Sequence, residues 1–209
     1  MTPSIPSRRH LLAAAGASLL PFGANAAGLL ATPGQTEGPF YPTAFPADMD
    51  NDLVQVRGQA ARAMGTVLHL EGRVLDLDGK PIQGALMEIW QCDAQGLYDH
   101  PRQPGRERRD SAFQGYGRML VSGDGRYSFR TLKPVAYAGR SPHIHVKVAT
   151  SAGRLLTSQF YIAGDTGNDR DGVFRGIRDP RQRALVEMKL APAPGVETGA
   201  FATTMDIIL

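Results

Sequence analysis

Two histidines separated by a single isoleucine stand in the segment RSPHIHVKV, residues 140–148. The alternation of polar and apolar residues predicts a β-strand with His143, His145 and Lys147 on one face and apolar residues on the other. Two imidazoles on one face of a strand can converge on a single metal ion. The pair does not complete a metal site, and a lone strand histidine is more often a structural or surface residue.

The further ligands of such a metal are not the usual ones. The chain has one cysteine, and no acidic residue lies at a compelling spacing beside the histidines, so thiolate and carboxylate sites are not favoured. Tyr137 lies six residues before His143, and Tyr98 follows a predicted strand in WQCDAQGLYDHP. A phenolate is a hard anionic oxygen donor that suits Fe(III), although each tyrosine alone is more typical of a half-buried strand end. A two-histidine copper or zinc site stays open at this point.

The elements that must position these residues are predicted to be strands. From residue 66 onward, strand-like segments alternate with turn signals at the spacing of an all-β sandwich. Turns are predicted at 78–79, at 123–125 and at 152–153, and the first should return TVLHLEGRVLD as a hairpin into ALMEIWQ. The pattern therefore predicts a mostly antiparallel β-sandwich with long functional loops.

Two further segments complete the predicted organisation of one domain. A short C-terminal helix is predicted where Asp179 can act as N-cap and Pro180 as first helical residue, followed by RQRALVEMKL. Residues 27–65 are rich in Gly, Pro and Ala with little periodicity, which indicates an N-terminal arm wrapped on the body. Residues 66–209 then form the β-sandwich domain, a length that supports one core.

Residues 1–26 indicate an export signal. Arg8 and Arg9 precede a short apolar run and an A-x-A cleavage site at 24–26, which we interpret as a twin-arginine signal peptide cleaved after Ala26. This interpretation predicts a periplasmic or secreted protein with no membrane span in the mature chain. A secretory signal of another kind and a retained anchor are the alternatives.

The charge of the chain gives a nucleic-acid partner no electrostatic support. The 23 Lys and Arg residues include Arg8 and Arg9, so the chain beyond the signal has 21 basic against 20 acidic residues, a net charge of +1. Nucleic-acid binding depends on a larger and clustered basic charge. We therefore predict no nucleic-acid partner.

Six segments taken together resemble the intradiol ring-cleavage dioxygenases, most closely the protocatechuate 3,4-dioxygenase branch. The segments are TEGPFYP (36–42), ALMEIWQCDAQGLYDH (85–100), FQGYGR (113–118), DGRYSFRTLKPVAY (124–137), RSPHIHVKV (140–148) and LTSQFYIAGD (156–165). The chain shows no counterpart of the helical N-terminal region through which the catechol 1,2-dioxygenase branch dimerises, which disfavours that branch. The resemblance makes residues 66–209 a catalytic domain and favours a homo- or hetero-oligomer.

The resemblance also implies a set of site residues. It implies that one non-haem Fe(III) per chain is bound by four ligands, Tyr98, Tyr137, His143 and His145. It implies that Arg140 lies against the bound aromatic ring, that Gln159 lies behind the ligands, and that Tyr137 accepts a substrate proton. The segment 36–42 would line the substrate mouth, which makes Gly38, Pro39 and Phe40 candidates for substrate binding.

The reaction implied by the resemblance is cleavage of a catechol-type ring between its two hydroxylated carbons. Both atoms of O2 would enter the product, a muconate-type diacid, so the partners are a small catechol and O2. A second resemblance points to another class of function. The segment GRVLDLDGKPIQGALMEIW also resembles transthyretin-like β-sandwich binding modules, which have no catalysis and would not need this set of residues together.

Overall fold

The computed structural model describes residues 28–209. Its strands are β1 (Val67–Leu75), β2 (Leu86–Trp90), β3 (Tyr116–Leu120), β4 (Arg126–Leu132), β5 (His143–Ala149), β6 (Leu155–Ile162), β7 (Glu187–Met188), β8 (Ala191–Pro192), β9 (Phe201–Thr204) and β10 (Ile207–Ile208). They form two five-stranded sheets whose inner faces contribute to one hydrophobic core. The predicted β-sandwich is confirmed.

Both sheets are mixed, and five of the eight strand pairs within residues 28–209 are antiparallel. In the first sheet, β1 pairs antiparallel with β4 and parallel with β9 and β10, and β8 pairs antiparallel with β9. The second sheet has the order β3-β2-β5-β6-β7, in which the β6–β7 pair alone is parallel. The prediction of mostly antiparallel strands therefore holds, with three short parallel pairs that the sequence pattern did not indicate.

The alternation along β5 has the predicted orientation. Ile144, Val146 and Val148 are completely buried in the core, which leaves His143 and His145 on the opposite, outer face of the second sheet. A period of two in side-chain direction requires this separation. The core of the sandwich therefore fixes the direction in which both histidines point.

The predicted hairpin between β1 and β2 is wrong. The chain does turn at Gly79, which has φ of +80° and donates its amide to the Asp76 carbonyl at 2.9 Å. However, β2 crosses to the second sheet, because β1 already pairs with β4 over seven residues from Val67 to Arg73. The turn at 123–125 also joins strands of different sheets, because β3 lies in the second sheet and β4 in the first. The expected hairpin of β5 and β6 does form.

The two α-helices found within residues 28–209 are short, five residues each, and lie between β6 and β7. The helix α1 (Gly172–Gly176) was not predicted, and α2 (Pro180–Ala184) begins as predicted, with the Asp179 side chain accepting from the Arg181 amide at 2.9 Å. The predicted helix was too long, because the residues after Ala184 return to the second sheet as β7, where Met188 is buried. Within residues 28–209, none of the helices has the length and apolar character needed to cross a membrane.

Residues 28–66 precede the first strand and lie along both sheets. Backbone hydrogen bonds join Leu29 to Leu77 at 2.8 Å, Gln35 to Thr157 at 2.8 Å, and Leu53 to Arg130 at 2.8 Å. The stretch 33–41, which we call the arm segment, first lies along the edge of β6 and then passes over the outer face of the second sheet. This face carries the histidines of β5, so the arm segment covers the candidate site.

Candidate active site

The two histidines of β5 converge through their Nε2 atoms, which lie 3.2 Å apart. His143 donates from Nδ1 to the Ser141 carbonyl at 2.6 Å, an arrangement that leaves its Nε2 lone pair free. The His145 ring stacks on Trp90 with centroids 4.8 Å apart, and both histidines are 1% exposed. Burial and then the charge of Arg140 lower the pKa of His143 to about 4, while burial, then His143 and then Arg140 lower the pKa of His145 well below its ordinary value. Both imidazoles are therefore neutral, the form that binds metal.

Tyr98 and Tyr137 lie beside the histidines. Their ring centroids are 5.0 Å apart, and those of Tyr137 and His143 are 5.4 Å apart, while Tyr98 lies 6.2 Å from His145. The Tyr98 hydroxyl is buried and has no hydrogen-bond partner within residues 28–209. Burial raises the pKa of both phenols, so the protein alone keeps them protonated. A bound cation would supply the positive charge needed to ionise them.

A tight turn places Tyr137 next to Arg140. The central residues Ala138 and Gly139 both have positive φ, of 47° and 78°, and the Arg140 amide donates to the Tyr137 carbonyl at 2.8 Å. The left-handed conformation is ordinary for glycine and costs an alanine about 1 kcal/mol. The turn therefore fixes the separation between a candidate ligand and the nearest permanent positive charge.

The Arg140 guanidinium is held by three side chains. Its Nε donates to Asp171 Oδ2 at 2.7 Å, and its Nη2 donates to Gln159 Oε1 at 2.7 Å and to the Tyr161 hydroxyl at 3.3 Å. Gln159 is completely buried and donates from Nε2 to the Thr36 carbonyl at 2.9 Å, which connects this group to the arm segment. Although burial opposes ionisation of Asp171, hydrogen bonds from Arg140 and backbone amides hold its pKa below the ordinary value.

The arm segment brings two of the three candidate pocket residues to the site. Gly38 has φ of +75°, a conformation that favours glycine, and a Cβ at this position would lie in contact with His145 Cε1, at 3.4 Å. Phe40 stacks on Tyr98 with centroids 4.7 Å apart. Pro39 lies between them and is exposed.

A group of polar side chains anchors the arm segment next to these residues. Lys147 forms an ion pair with Glu37, and its Nζ lies 3.5 Å from the ring centroid of Tyr41. The Tyr41 hydroxyl donates to Glu88 at 3.0 Å, and Tyr116 donates to the same carboxylate oxygen. Because Glu37 and Tyr41 flank residues 38–40, this anchor sets the distance of the pocket wall from the ligands.

The four ligand candidates fit a hard, highly charged metal ion. Two neutral imidazole nitrogens converge, a buried phenol beside them lacks a partner, and a second phenol lies within reach of the same space. Among residues 28–209, His, Cys, Asp and Glu form no cluster of three or more that could hold a metal. A metal at this position would thus depend on tyrosine as well as histidine, a donor set suited to Fe(III).

Three residues that support the site were not identified from the sequence. Tyr161 follows Gln159 by two residues on β6, so the strand period could have placed both on the face of the histidines. Asp171 precedes Gly172-Val173-Phe174, and its type is that of an N-cap. Gln35 accepts from the Tyr161 hydroxyl at 2.8 Å across 126 residues, a contact for which the sequence carries no signal.

Comparison with known proteins places this arrangement in a family. A family described as "Dioxygenase" matches residues 36–190. The chain is 33% identical over 179 residues to the protocatechuate 3,4-dioxygenase beta chain of Burkholderia cepacia, covering 82% of this chain and 76% of the relative. It is 31% identical over 152 residues to catechol 1,2-dioxygenase 1 of Acinetobacter lwoffii, covering 64% of this chain and 47% of that protein. The chain therefore spans about three quarters of the first relative and about half of the second.

Solved structures agree in fold. The dioxygenase domain of a dioxygenase carbohydrate-binding protein fusion from Streptomyces sp. SirexAA-E superposes with a TM-score of 0.67 at 29% identity, covering 86% of this chain and 97% of that one. An intradiol ring-cleavage dioxygenase from Tetranychus urticae has the same fold, with a TM-score of 0.67 at 22% identity over 86% of this chain and 94% of that one. The family match extends over most of the described residues and includes every candidate ligand, and we conclude that the chain belongs to the intradiol dioxygenase family.

Proposed function

We propose that this protein is a non-haem Fe(III) dioxygenase that cleaves a catechol-type ring between its two hydroxylated carbons. The observation that carries the proposal is the convergence of two buried imidazole nitrogens, 3.2 Å apart, beside the buried phenol of Tyr98 and the partly buried phenol of Tyr137. Relatives named as acting on protocatechuate, catechol and hydroxyquinol support the substrate class. A non-catalytic transthyretin-like module has no use for this donor set, and the family match favours the enzyme.

In this proposal, Tyr98, Tyr137, His143 and His145 hold the iron. When bound, the iron would supply a Lewis acid that favours loss of the catechol protons and gives a hydroxylated ring carbon carbanionic character. The Tyr137 phenolate oxygen accepts a proton from a catechol hydroxyl, because it is the less buried of the two phenols and stands beside Arg140. The product is a muconate-type diacid that contains both atoms of O2.

The remaining residues bind and orient the ring. Arg140 presents a permanent positive charge where negative charge builds on the reacting carbon, and Gln159 holds the guanidinium from behind. Phe40 and Gly38 form the wall on the side of Tyr98 and His145, with Pro39 at its exposed edge. The wall excludes water from the site. Water would weaken the electrostatic interactions within it.

A purified holoprotein tests the proposal directly. We expect one iron per chain, a red-brown colour from charge transfer between tyrosinate and iron, and uptake of one O2 per catechol, with the mass of the product increased by both oxygen atoms. A fully metallated protein that is colourless or blue would indicate a zinc or copper site instead. A coloured iron protein that cleaves none of a panel of catechols would contradict the assigned reaction.

We also propose the location and organisation that the sequence predicts. Residues 1–26 act as a twin-arginine signal, residues 27–65 form the arm, and residues 66–209 form the catalytic domain of a homo- or hetero-oligomer. The signal lies outside the described residues. Replacing Arg8 and Arg9 by lysine should retain the protein in the cytoplasm, and unchanged periplasmic activity would show a different export route. Light scattering on the purified protein gives the oligomeric state.

A further inference from the structure

The hydrogen bonds of Arg140 leave one edge of its guanidinium available. Nε and Nη2 donate to Asp171, Gln159 and Tyr161, whereas Nη1 makes no hydrogen bond to any of residues 28–209. The guanidinium is planar, so two fixed nitrogens determine the direction of the third. The protein thus holds the guanidinium by the edge that carries Nε and Nη2, and it leaves the Nη1 edge without a hydrogen bond to residues 28–209.

Asp171 is the most firmly held of the three partners. Its side chain is 0% exposed, and Oδ2 accepts from the Ser141 amide at 2.9 Å in addition to Arg140. Oδ1 accepts from the amides of Val173 at 2.9 Å and Phe174 at 3.1 Å, as the N-cap of α1. Three backbone amides from two separate segments therefore fix this carboxylate. A carboxylate that cannot rotate imposes its plane on the guanidinium that binds it.

We propose that Asp171 is a positioning residue that orients Arg140 so that its Nη1 edge faces the aromatic substrate. This inference rests on the proposed function, since it assumes that Arg140 acts on a bound ring. Asp171 itself makes no hydrogen bond to a candidate ligand or to the pocket wall within residues 28–209, and in this proposal it acts through the arginine. A free arginine of this length would populate many rotamers, and ordering it in advance lowers the barrier of the reacting complex.

The first test is Asp171→Asn, which retains Oδ1 as acceptor for the α1 amides but places an NH2 group opposite the Arg140 Nε and the Ser141 amide. We expect iron content and colour to be retained, KM to change little, and kcat to fall about 10- to 100-fold. The chain offers a matched control in Asp179→Asn. Asp179 is also an aspartate N-cap of a one-turn helix and also binds an arginine, Arg181, on an exposed surface. We expect kcat of this control to match the wild type.

A double-mutant cycle separates positioning from a structural role. If Asp171 acts only through Arg140, adding Asp171→Asn to Arg140→Gln should cost no further activity, because the oriented group is already absent. Anaerobic titration with catechol, followed by the shift in colour, should give similar dissociation constants for wild type and Asp171→Asn. Thermal unfolding of each variant measures any loss of the helix cap. Asp171→Ser keeps a capping oxygen but does not reach Arg140, so it should lose activity in the same way.

Several outcomes would overturn the inference. These are full turnover in Asp171→Asn, additive losses in the double variant, loss of iron, or unfolding of both Asp171 variants while Asp179→Asn stays folded. The last two results would assign Asp171 to the metal site or to the fold. A wild-type protein that cleaves no catechol would instead contradict the proposed function, so the two failures are distinguishable.

Discussion

The outer faces of the two sheets carry the same kinds of residue but differ in burial. On β1, His69, Glu71 and Arg73 alternate with core residues, as His143, His145 and Lys147 do on β5. The side chain of His69 is 25% exposed and lies 3.4 Å from Glu197, whereas the two histidines of β5 are 1% exposed.

The cover over each face accounts for this difference. On the second sheet, the arm segment and the turn at 137–140 exclude solvent from the polar face, so the imidazoles stay neutral and unpaired with acids. On the first sheet, Arg130 binds Glu197 and Asp52 in an ion network that remains partly exposed. Strand alternation places polar side chains on the outer face of each sheet. The presence or absence of a covering segment then determines whether they form a buried site or a solvated ion network.

Removing one histidine from the outer face of each sheet should give the largest difference, and the difference should appear in iron retention. His145→Ala should abolish iron retention and colour, because a ligand set of four loses both a donor and its geometry. His69→Ala should retain iron and full activity. Iron analysis and absorbance spectra of the two purified variants measure the difference. Stoichiometric iron in His145→Ala would remove His145 from the ligand set.

A second comparison uses one arginine from each region, Arg140 in the turn before β5 and Arg130 on β4. Arg140→Gln should keep iron and colour but lose about 10²- to 10³-fold in kcat, the usual effect of removing one preorganised donor. Arg130→Gln should leave kcat unchanged and lower the free energy of unfolding by about 1 to 2 kcal/mol, since it breaks two partly buried ion pairs. Steady-state kinetics and urea unfolding distinguish them. Comparable kcat values in the two variants would place Arg140 outside the reaction.

Two lysine variants test whether the arm segment that covers the site affects substrate binding. Lys147→Met keeps the apolar stem but removes the ion pair with Glu37 and the cation–π contact with Tyr41, so the arm segment should loosen. A loss of about 1 kcal/mol, or about fivefold in KM for a catechol, is expected with iron retained. Lys133→Met removes a longer contact, 5.3 Å from the Phe201 ring centroid on the first sheet, and should not change KM. Equal KM values would show that the anchor does not shape the pocket.

The smallest effect concerns the pH dependence of stability. Hydrogen bonding to Arg130 lowers the pKa of Glu197 from 4.5 to about 2, so its stabilising contribution is complete above 4.5 and is lost as the pH falls through about 2. Glu197→Gln should therefore lower the unfolding free energy by about 1 kcal/mol at neutral pH, and the deficit should shrink in acid. Urea unfolding between pH 3 and pH 7, with Glu71→Gln as an exposed control, measures this. A deficit independent of pH would exclude the ion network as its source.

Much of the sandwich follows from local sequence, because strand alternation and turn residues act over short distances. The orientation of β5 and the start of α2 at Asp179 were predictable for this reason. The sheet to which β2 belongs was not predictable. A turn signal indicates that the chain reverses, but it does not indicate which strand will pair with β2. The short parallel pairs of β9 and β10 likewise depend on contacts between distant segments.

The residues of the candidate site were also predictable only in part. The six segments of the resemblance indicated every candidate ligand, and the structure brings all four together with Arg140, Gln159, Gly38 and Phe40. Two of the three residues that hold Arg140 in place were missed, because Asp171 and Tyr161 have ordinary roles as a cap and a strand residue when seen locally. Their second role exists only after α1 and β6 are folded against the turn at 137–140.

The arm segment also has a consequence for the order of folding. Gln35 binds Ser158 across 123 residues, whereas β5 and β6 pair through a hairpin of neighbouring residues. Contacts between distant residues form later, because the entropy of closing a long loop must be offset by contacts already made. We therefore expect both histidines to be in place on the second sheet before the arm segment docks. During that interval the nascent site is open to solution, so a metal ion can enter without the folded protein having to unfold again.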